Sequence, residues 1–161
     1  MAQDTASSME PSSTQRITTP APTHRLRIFI VIVLIILTIQ GWFGDTVNIF
    51  VAPPGTNSTV PFSNLFSTIS AYGIALIWHA YEGFLLLVLS FVLIGASFVW
   101  SKKRSVRIMS ILGAFMIVSA VIGGVTFILS GFNSGAATAQ MGGSFIGAYA
   151  FYFMELYFTK S

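Results

Sequence analysis

The sequence predicts an all-α integral membrane protein, in which a transmembrane bundle of four helices follows a disordered N-terminal tail. Hydrophobic residues make up 54% of the 161 residues and charged residues only 8%, whereas a soluble domain is about one quarter charged. Four apolar runs lie between short polar connections. Basic residues flank these runs at every second boundary. Together these observations favour a multi-pass membrane protein, whose first partner is the lipid bilayer.

The N-terminal segment, residues 1–24, is rich in Ser, Thr and Pro and nearly lacks large apolar side chains. Such a segment buries too little surface to offset the entropy lost on ordering. We therefore expect a disordered cytoplasmic tail at 1–24 and a transmembrane domain at 25–161.

Four spans are predicted within that domain. A helix rises about 1.5 Å per residue, so about 20 residues cross the roughly 30 Å hydrocarbon core of a bilayer. The first run ends before Pro53 and Pro54, which cannot continue a helix. A segment rich in Gly, Ser, Asn and Ala, from Asn133 to Gln140, separates the last two runs. The predicted spans are 28–50, 69–100, 108–132 and 141–159.

The basic residues predict the orientation. Arg25 and Arg27 precede the first span, a cluster at 102–107 joins the second and third, and Lys160 follows the fourth. These positions share one side of a four-span protein, and the other two connections contain no Lys or Arg. The positive-inside rule then places both termini in the cytoplasm of a cell-membrane protein. No broad basic patch is left to bind nucleic acid.

Ionisable residues within the spans predict two polar sites. Glu82 lies 18 residues before Trp100, and Asp45 lies 18 residues after Arg27, so each carboxylate is about 27 Å from the inner boundary. His79 lies one turn farther out, on the same helix face as Glu82. We therefore expect Asp45, His79 and Glu82 to form a polar or ion site at the outer mouth of the bundle.

The second predicted site is an inner-side ion pair between Glu155 and Arg107, which lie at similar depth near the cytoplasmic boundary. A separate surface feature is Asn57, which begins the sequence Asn-Ser-Thr and is a candidate glycosylation site. The chain contains no cysteine, which excludes disulfides, thiolate metal sites and thiol catalysis.

The chemistry of the outer cluster has three interpretations. A histidine and a carboxylate at i and i+3 can share a proton or a metal ion, or they can form a structural hydrogen bond near the headgroups. Haem held by two histidines of one chain is excluded, because the spans contain a single histidine, His79. No nucleophile–base pair or phosphate-binding loop is present in the sequence. We therefore predict no catalytic residue and no cofactor.

The stretch Gln40-Gly41-Trp42-Phe43-Gly44-Asp45-Thr46-Val47-Asn48-Ile49-Phe50-Val51 closes the first span. It is followed by a Pro-containing loop, a second span opening around His79, and glycine-bearing third and fourth spans. Over roughly Ile28 to Phe158, this order resembles a group of small four-span membrane proteins of archaea and actinobacteria. The resemblance implies topology and assigns no catalytic residue.

The leading functional hypothesis is a non-enzymatic structural or accessory subunit that acts through helix–helix association, with other membrane proteins or with further copies of itself. Small residues line one face of the third and fourth spans, including the pairs Ala120/Gly124 and Gly143/Gly147, and such faces are where membrane helices meet. One alternative is an oligomeric proton- or ion-coupled transporter that uses Asp45, His79 and Glu82. Another is a metal- or haem-associated membrane redox subunit.

The predicted topology is testable with single cysteines, because the natural chain has none. We expect Lys103→Cys to react with a membrane-impermeant thiol reagent from the cytoplasmic side only, and Thr56→Cys from the opposite side only. Labelling of both positions from the same side would contradict the four-span topology.

Overall fold

The structure is a computed structural model that describes residues 22–50 and 59–160, except for the side chains of 48–50. Within these residues the chain is all-helical and contains no strand, so the predicted all-α class is confirmed. Four long helices and one short helix are formed. They are α1 (Pro22–Phe50), α2 (Leu65–Ala71, after a 3₁₀ turn at Phe62–Asn64), α3 (Ile74–Trp100), α4 (Arg104–Leu129) and α5 (Gly135–Phe158).

Three helices are long and apolar enough to cross a membrane, each with a mean hydropathy of 2.4 over its best window. They lie at Pro22–Val47, Ile74–Trp100 and Arg104–Leu129. α5 has 24 residues, which is long enough to cross a membrane. It is not among the three because its Gly, Ala and Tyr residues give it a lower mean hydropathy. The structure therefore supports a membrane protein with three apolar span-like helices and does not confirm the fourth span.

Several helix boundaries differ from those predicted, and α4 spans Arg104–Leu129 instead of 108–132. The apolar run expected to begin near residue 69 is interrupted at Gly73, whose φ of 93° is accessible to glycine and strained for other residues, so α3 begins at Ile74. α5 begins six residues before the predicted position 141 because Ser134 caps it. The Ser134 side chain accepts a hydrogen bond from the Ala137 amide at 3.2 Å.

α1 also begins earlier than predicted, because Pro22 opens the helix and the fixed φ of proline suits the first helical turn. Residues 22–24 are therefore helical, although the sequence assigned them to the tail. The remainder of the predicted tail, 1–21, lies outside the described residues.

The long helices pack around one core, and α1 and α4 each contact both α3 and α5. α1 and α3 run antiparallel, since Gly44 faces His79 while Gln40, four residues earlier, faces Gly83, four residues later. In lipid, such packing depends on close van der Waals fit, because the lipid tails are as apolar as the side chains. Buried apolar residues of all four helices form the core: Leu26, Ile30, Val33, Leu37, Leu86, Leu93, Val106, Ile117, Ala148 and Tyr152.

α4 and α5 approach each other most closely, through small residues that face larger ones. A Cβ atom built on Gly113 would lie 2.3 Å from Cε1 of Tyr152, and one on Gly147 would lie 3.0 Å from Sδ of Met116. We call this contact the α4–α5 seam. It comprises Ser110, Gly113, Met116, Ser119 and Gly123 of α4 with Met141, Ser144, Gly147, Tyr152 and Glu155 of α5.

The pair Gly143/Gly147 does not act as one contact motif. Gly147 lies in the seam, but a Cβ on Gly143 would meet nothing within 4 Å. The fourth predicted span therefore presents one glycine inward and the other outward.

One end of the structure collects the basic residues. The α3–α4 connection lies beside the C-terminus of α5, where the Lys103 Nζ donates to the Phe158 carbonyl oxygen at 3.2 Å. The N-terminus of α1, with Arg25 and Arg27, reaches the same end because α1 is antiparallel to α3. We call this the basic end. At the opposite end the Val60 amide donates to the Leu129 carbonyl oxygen at 2.9 Å, which ties the segment before α2 to α4.

Substitution of Gly113 tests the seam. We expect Gly113→Ala to destabilise the protein by about 1–3 kcal/mol, the usual cost of overpacking a core, since the new Cβ would overlap the buried Tyr152 ring. Gly95→Ala is the matched control, because a Cβ there meets nothing within 4 Å and alanine favours helix by up to about 1 kcal/mol. Thermal unfolding in detergent compares the two variants, and equal stability would argue against the seam.

Candidate functional site

The α4–α5 seam contains a fully buried carboxylate near the basic end of the structure. Glu155 has 0% of its surface exposed, and its Oε1 accepts a short hydrogen bond from the Ser110 hydroxyl of α4. Its other oxygen, Oε2, is buried and has no hydrogen-bond partner. A buried carboxyl group with half of its hydrogen-bonding capacity unused is costly in an apolar core, so this position is the first candidate for function.

The ion pair expected between Glu155 and Arg107 is not formed. Arg107 turns towards the C-terminus of α3, where its guanidinium donates to the Ser101 carbonyl oxygen at 2.9 and 3.2 Å and to that of Phe98 at 3.4 Å. It also lies over the Phe98 ring, 4.9 Å from the ring centroid. The last carbonyls of a helix lack partners within the helix, and Arg107 satisfies them instead of the carboxylate.

Tyr152 lies one turn before Glu155 on α5 and is also fully buried. Its hydroxyl lies near Ser90 of α3 and near Glu155, but it is buried without a hydrogen-bond partner. The Ser90 hydroxyl of α3 donates a hydrogen bond to the Leu87 carbonyl oxygen at 2.7 Å. Oxygen atoms from α3, α4 and α5 are thus gathered inside the core, and we call Ser90, Ser110, Tyr152 and Glu155 the inner polar cluster.

Helical spacing explains how the sequence builds this cluster. Tyr152 and Glu155 are three residues apart on α5, and Ser110 and Gly113 are three apart on α4, so each pair lies on one face. Because the helices are antiparallel, Ser110 meets Glu155 while Gly113 meets Tyr152. The missing side chain at Gly113 provides the space for the tyrosine ring.

At the opposite end, His79 packs between α3 and α1. Its ring lies against Gly44, where a Cβ would come within 3.1 Å of Cε1. The Gln40 side chain donates to the His79 carbonyl oxygen at 3.0 Å. His79 Nδ1 is buried without a hydrogen-bond partner. The histidine therefore meets a glutamine and a glycine of α1, and not the expected carboxylate.

The three residues of the predicted outer site are not joined by hydrogen bonds. Asp45 is exposed, Glu82 is half-buried with its Oε2 unpartnered, and neither is hydrogen-bonded to His79. Among the residues that the structure describes, no group of three His, Cys, Asp or Glu side chains is arranged to hold a metal ion. Asn57, the candidate glycosylation site, lies outside the described residues.

The sequence did not by itself indicate that Ser90, Ser110 and Tyr152 surround Glu155. One sequence feature could have indicated Ser110. It lies three residues after Arg107 on the same helix, so both residues lie at about the depth of Glu155. Arginine was the expected partner because of its charge. The shorter serine is the actual partner because it lies directly in the seam.

The arrangement favours binding chemistry over covalent chemistry. All four polar side chains of the inner polar cluster offer oxygen atoms that donate or accept hydrogen bonds. The cluster contains no imidazole or amine to act as a general base towards Ser110 or Ser90. Its Glu155 and Tyr152 atoms without partners are the places where a proton can be bound or exchanged.

Removal of the Ser110 hydroxyl tests the core of the cluster. We expect Ser110→Ala to cost about 1–3 kcal/mol of unfolding free energy, because Glu155 Oε1 then lacks a donor in an apolar site. Ser97→Ala is the control. Ser97 is equally buried, but its hydroxyl donates only to the Ile94 carbonyl of its own helix at 2.8 Å, so its loss should matter much less. Thermal unfolding in detergent measures both, and similar effects would contradict a special role for Ser110.

Comparison of the chain with protein-family models, with curated proteins and with solved structures gives no match. The resemblance to small four-span membrane proteins of archaea and actinobacteria therefore stays a prediction from the sequence.

Proposed function

We propose that this protein is an integral membrane protein of four spans with both termini in the cytoplasm, and that it acts as a non-enzymatic accessory subunit through helix–helix association. The fourth span of this proposal is α5, which packs antiparallel to α4 along the whole seam and so runs through the same layer. The orientation is supported by the basic end, where the termini of α1 and α5 join the charged α3–α4 connection.

One observation carries the association hypothesis. The first half of α5 exposes small residues on the side opposite the seam, and a Cβ on Gly142 or Gly143 would meet nothing within 4 Å. In membranes, small residues at a surface let another helix approach closely. The exposed small residues of this outer α5 face are Ala136, Ala139, Gly142 and Gly143.

The outward surface of α3 differs from the outer α5 face, and this difference supports association through α5. The outward side of α3 exposes large side chains such as Phe84, Phe91 and Val99, which fill the space between lipid chains. The outer α5 face instead leaves the backbone uncovered, and a helix of another subunit would cover it. That subunit is a membrane protein partner or a second copy of this chain.

The mass of the purified protein in mild detergent tests the proposal. We expect a particle larger than one chain, and expect Gly143→Leu to convert part of it to the single-chain form, because leucine blocks close approach of a helix. Gly95→Leu on α3 is the matched control, since Gly95 is also free of neighbours within 4 Å.

The same experiment identifies the partner. A mass that is a multiple of this chain indicates a homo-oligomer, and a second polypeptide in the particle indicates a complex. A wild-type protein that is strictly monomeric and carries no other polypeptide would contradict the proposed function.

A further inference from the structure

We propose that the inner polar cluster is a proton-binding site, in which Glu155 holds the proton, Ser110 orients the carboxyl group, and Tyr152 and Ser90 pack around it. This site is independent of the association proposed above, since its residues face the core and not the outer α5 face. The ligand is a proton, which the cluster can bind without a cavity.

The first support for this proposal is the burial of the Glu155 carboxyl group. Glu155 is fully buried, yet the protein supplies one hydrogen bond to Oε1 and none to Oε2. A carboxylate anion needs several donors or a cation to be stable away from water. A protonated carboxyl group suits this site better, because its carbonyl oxygen accepts from Ser110 and a neutral O–H group without a partner costs far less in an apolar core than a charged oxygen does.

The charged groups of the neighbouring helices support it next. On α4, Arg107 is bound to the Ser101 and Phe98 carbonyls. On α1, the Nε of Arg27 is buried without a hydrogen-bond partner, as is Oε2 of Glu155, so these two atoms do not bond to each other. The side chains that α3 buries are Leu and Ser only. In the described part of the chain, no cation therefore neutralises Glu155, and Tyr152 is the titratable group beside it.

Tight packing explains why the ligand is a proton and not a larger cation. The Tyr152 ring fills the space above Gly113, with Cε1 and Cζ at 2.3 and 2.7 Å from where a Cβ would be. Ser110 is in hydrogen-bond contact with the carboxyl group. A metal ion would need several oxygen ligands at fixed distances and space between them, whereas a proton adds no volume.

The neighbouring hydroxyls enclose the carboxyl group without completing its hydrogen bonds. Ser110 of α4 donates to Glu155 Oε1, and Ser90 of α3 donates to the Leu87 carbonyl oxygen. Tyr152 Oη and Glu155 Oε2 are both buried without a hydrogen-bond partner, so no hydrogen bond joins them. The neutral carboxyl group is therefore held by the Ser110 hydrogen bond and by packing.

Loss of the proton has a structural consequence. The anion formed would lie between α3, α4 and α5 with a single donor, and this strains the seam beside the basic end. An anion with one donor is costly in an apolar site, so deprotonation should weaken the packing of α4 against α5. The proton-binding site therefore also makes the α4–α5 seam sensitive to pH.

Infrared difference spectroscopy of the full-length protein in lipid vesicles tests the site directly. We expect the C=O stretching band of a protonated carboxylic acid at mildly acidic and neutral pH, lost on titration to alkaline pH and absent in Glu155→Gln. Ser110→Ala should shift the frequency of the band, because Glu155 Oε1 then loses its hydrogen-bond donor. An unchanged frequency in Ser110→Ala would show that the band does not come from a carboxyl group bonded to Ser110.

Glu82→Gln is the matched control, since Glu82 is the other glutamate of the helical region and is only half-buried. It should leave the band intact. Thermal unfolding gives a second readout, in which the decline of stability with rising pH is present in the wild type and Glu82→Gln and lost in Glu155→Gln. A spectrum in which Glu155→Gln removes no carboxylic-acid band at any of these pH values would overturn the proposal.

Discussion

The close antiparallel contact of α4 and α5 is the constraint on which the rest of the structure depends. Lipid does not drive apolar helices together as water does, so two membrane helices are held by how closely their surfaces fit. Gly113 and Gly147 permit that fit, because each replaces a side chain with space that Tyr152 and Met116 fill. Once the seam is closed, α1 and α3 complete the core, and Tyr152 and Glu155 have no route to solvent.

The same contact determines the electrostatics of the inner end. By bringing Ser110 to Glu155, the seam satisfies one carboxyl oxygen with a neutral donor and leaves the second unpartnered. Arg107, which is close in sequence to Ser110, is drawn to the free carbonyls at the end of α3. Among the described residues, the side chain that hydrogen-bonds to Glu155 is thus a neutral hydroxyl and not a basic group.

The two ends of the molecule use their polar groups differently. At the end opposite the basic residues, Gln40 and His79 join α1 to α3 through one hydrogen bond and the contact of the ring with Gly44. Asp45 remains exposed there and Glu82 is only half-buried, so their charges can be solvated near a headgroup region. At the basic end the carboxyl group is fully enclosed. Burial, and not the number of ionisable residues, distinguishes the inner polar cluster as the candidate site.

The sequence by itself determined the helical class, three helices long and apolar enough to span a membrane, and the clustering of basic residues at alternate boundaries, because these follow from local hydropathy and charge. It also identified which ionisable residues were unusual. Only the tertiary structure decided their partners. Helix rise placed Asp45, His79 and Glu82 at one depth, but depth does not specify the direction in which a side chain points around the helix axis. Likewise, equal depth suggested Arg107 for Glu155, whereas the rotation and closeness of α4 and α5, permitted by Gly113, selected Ser110. These are properties of contacts between helices, and no single helix contains the information that determines them.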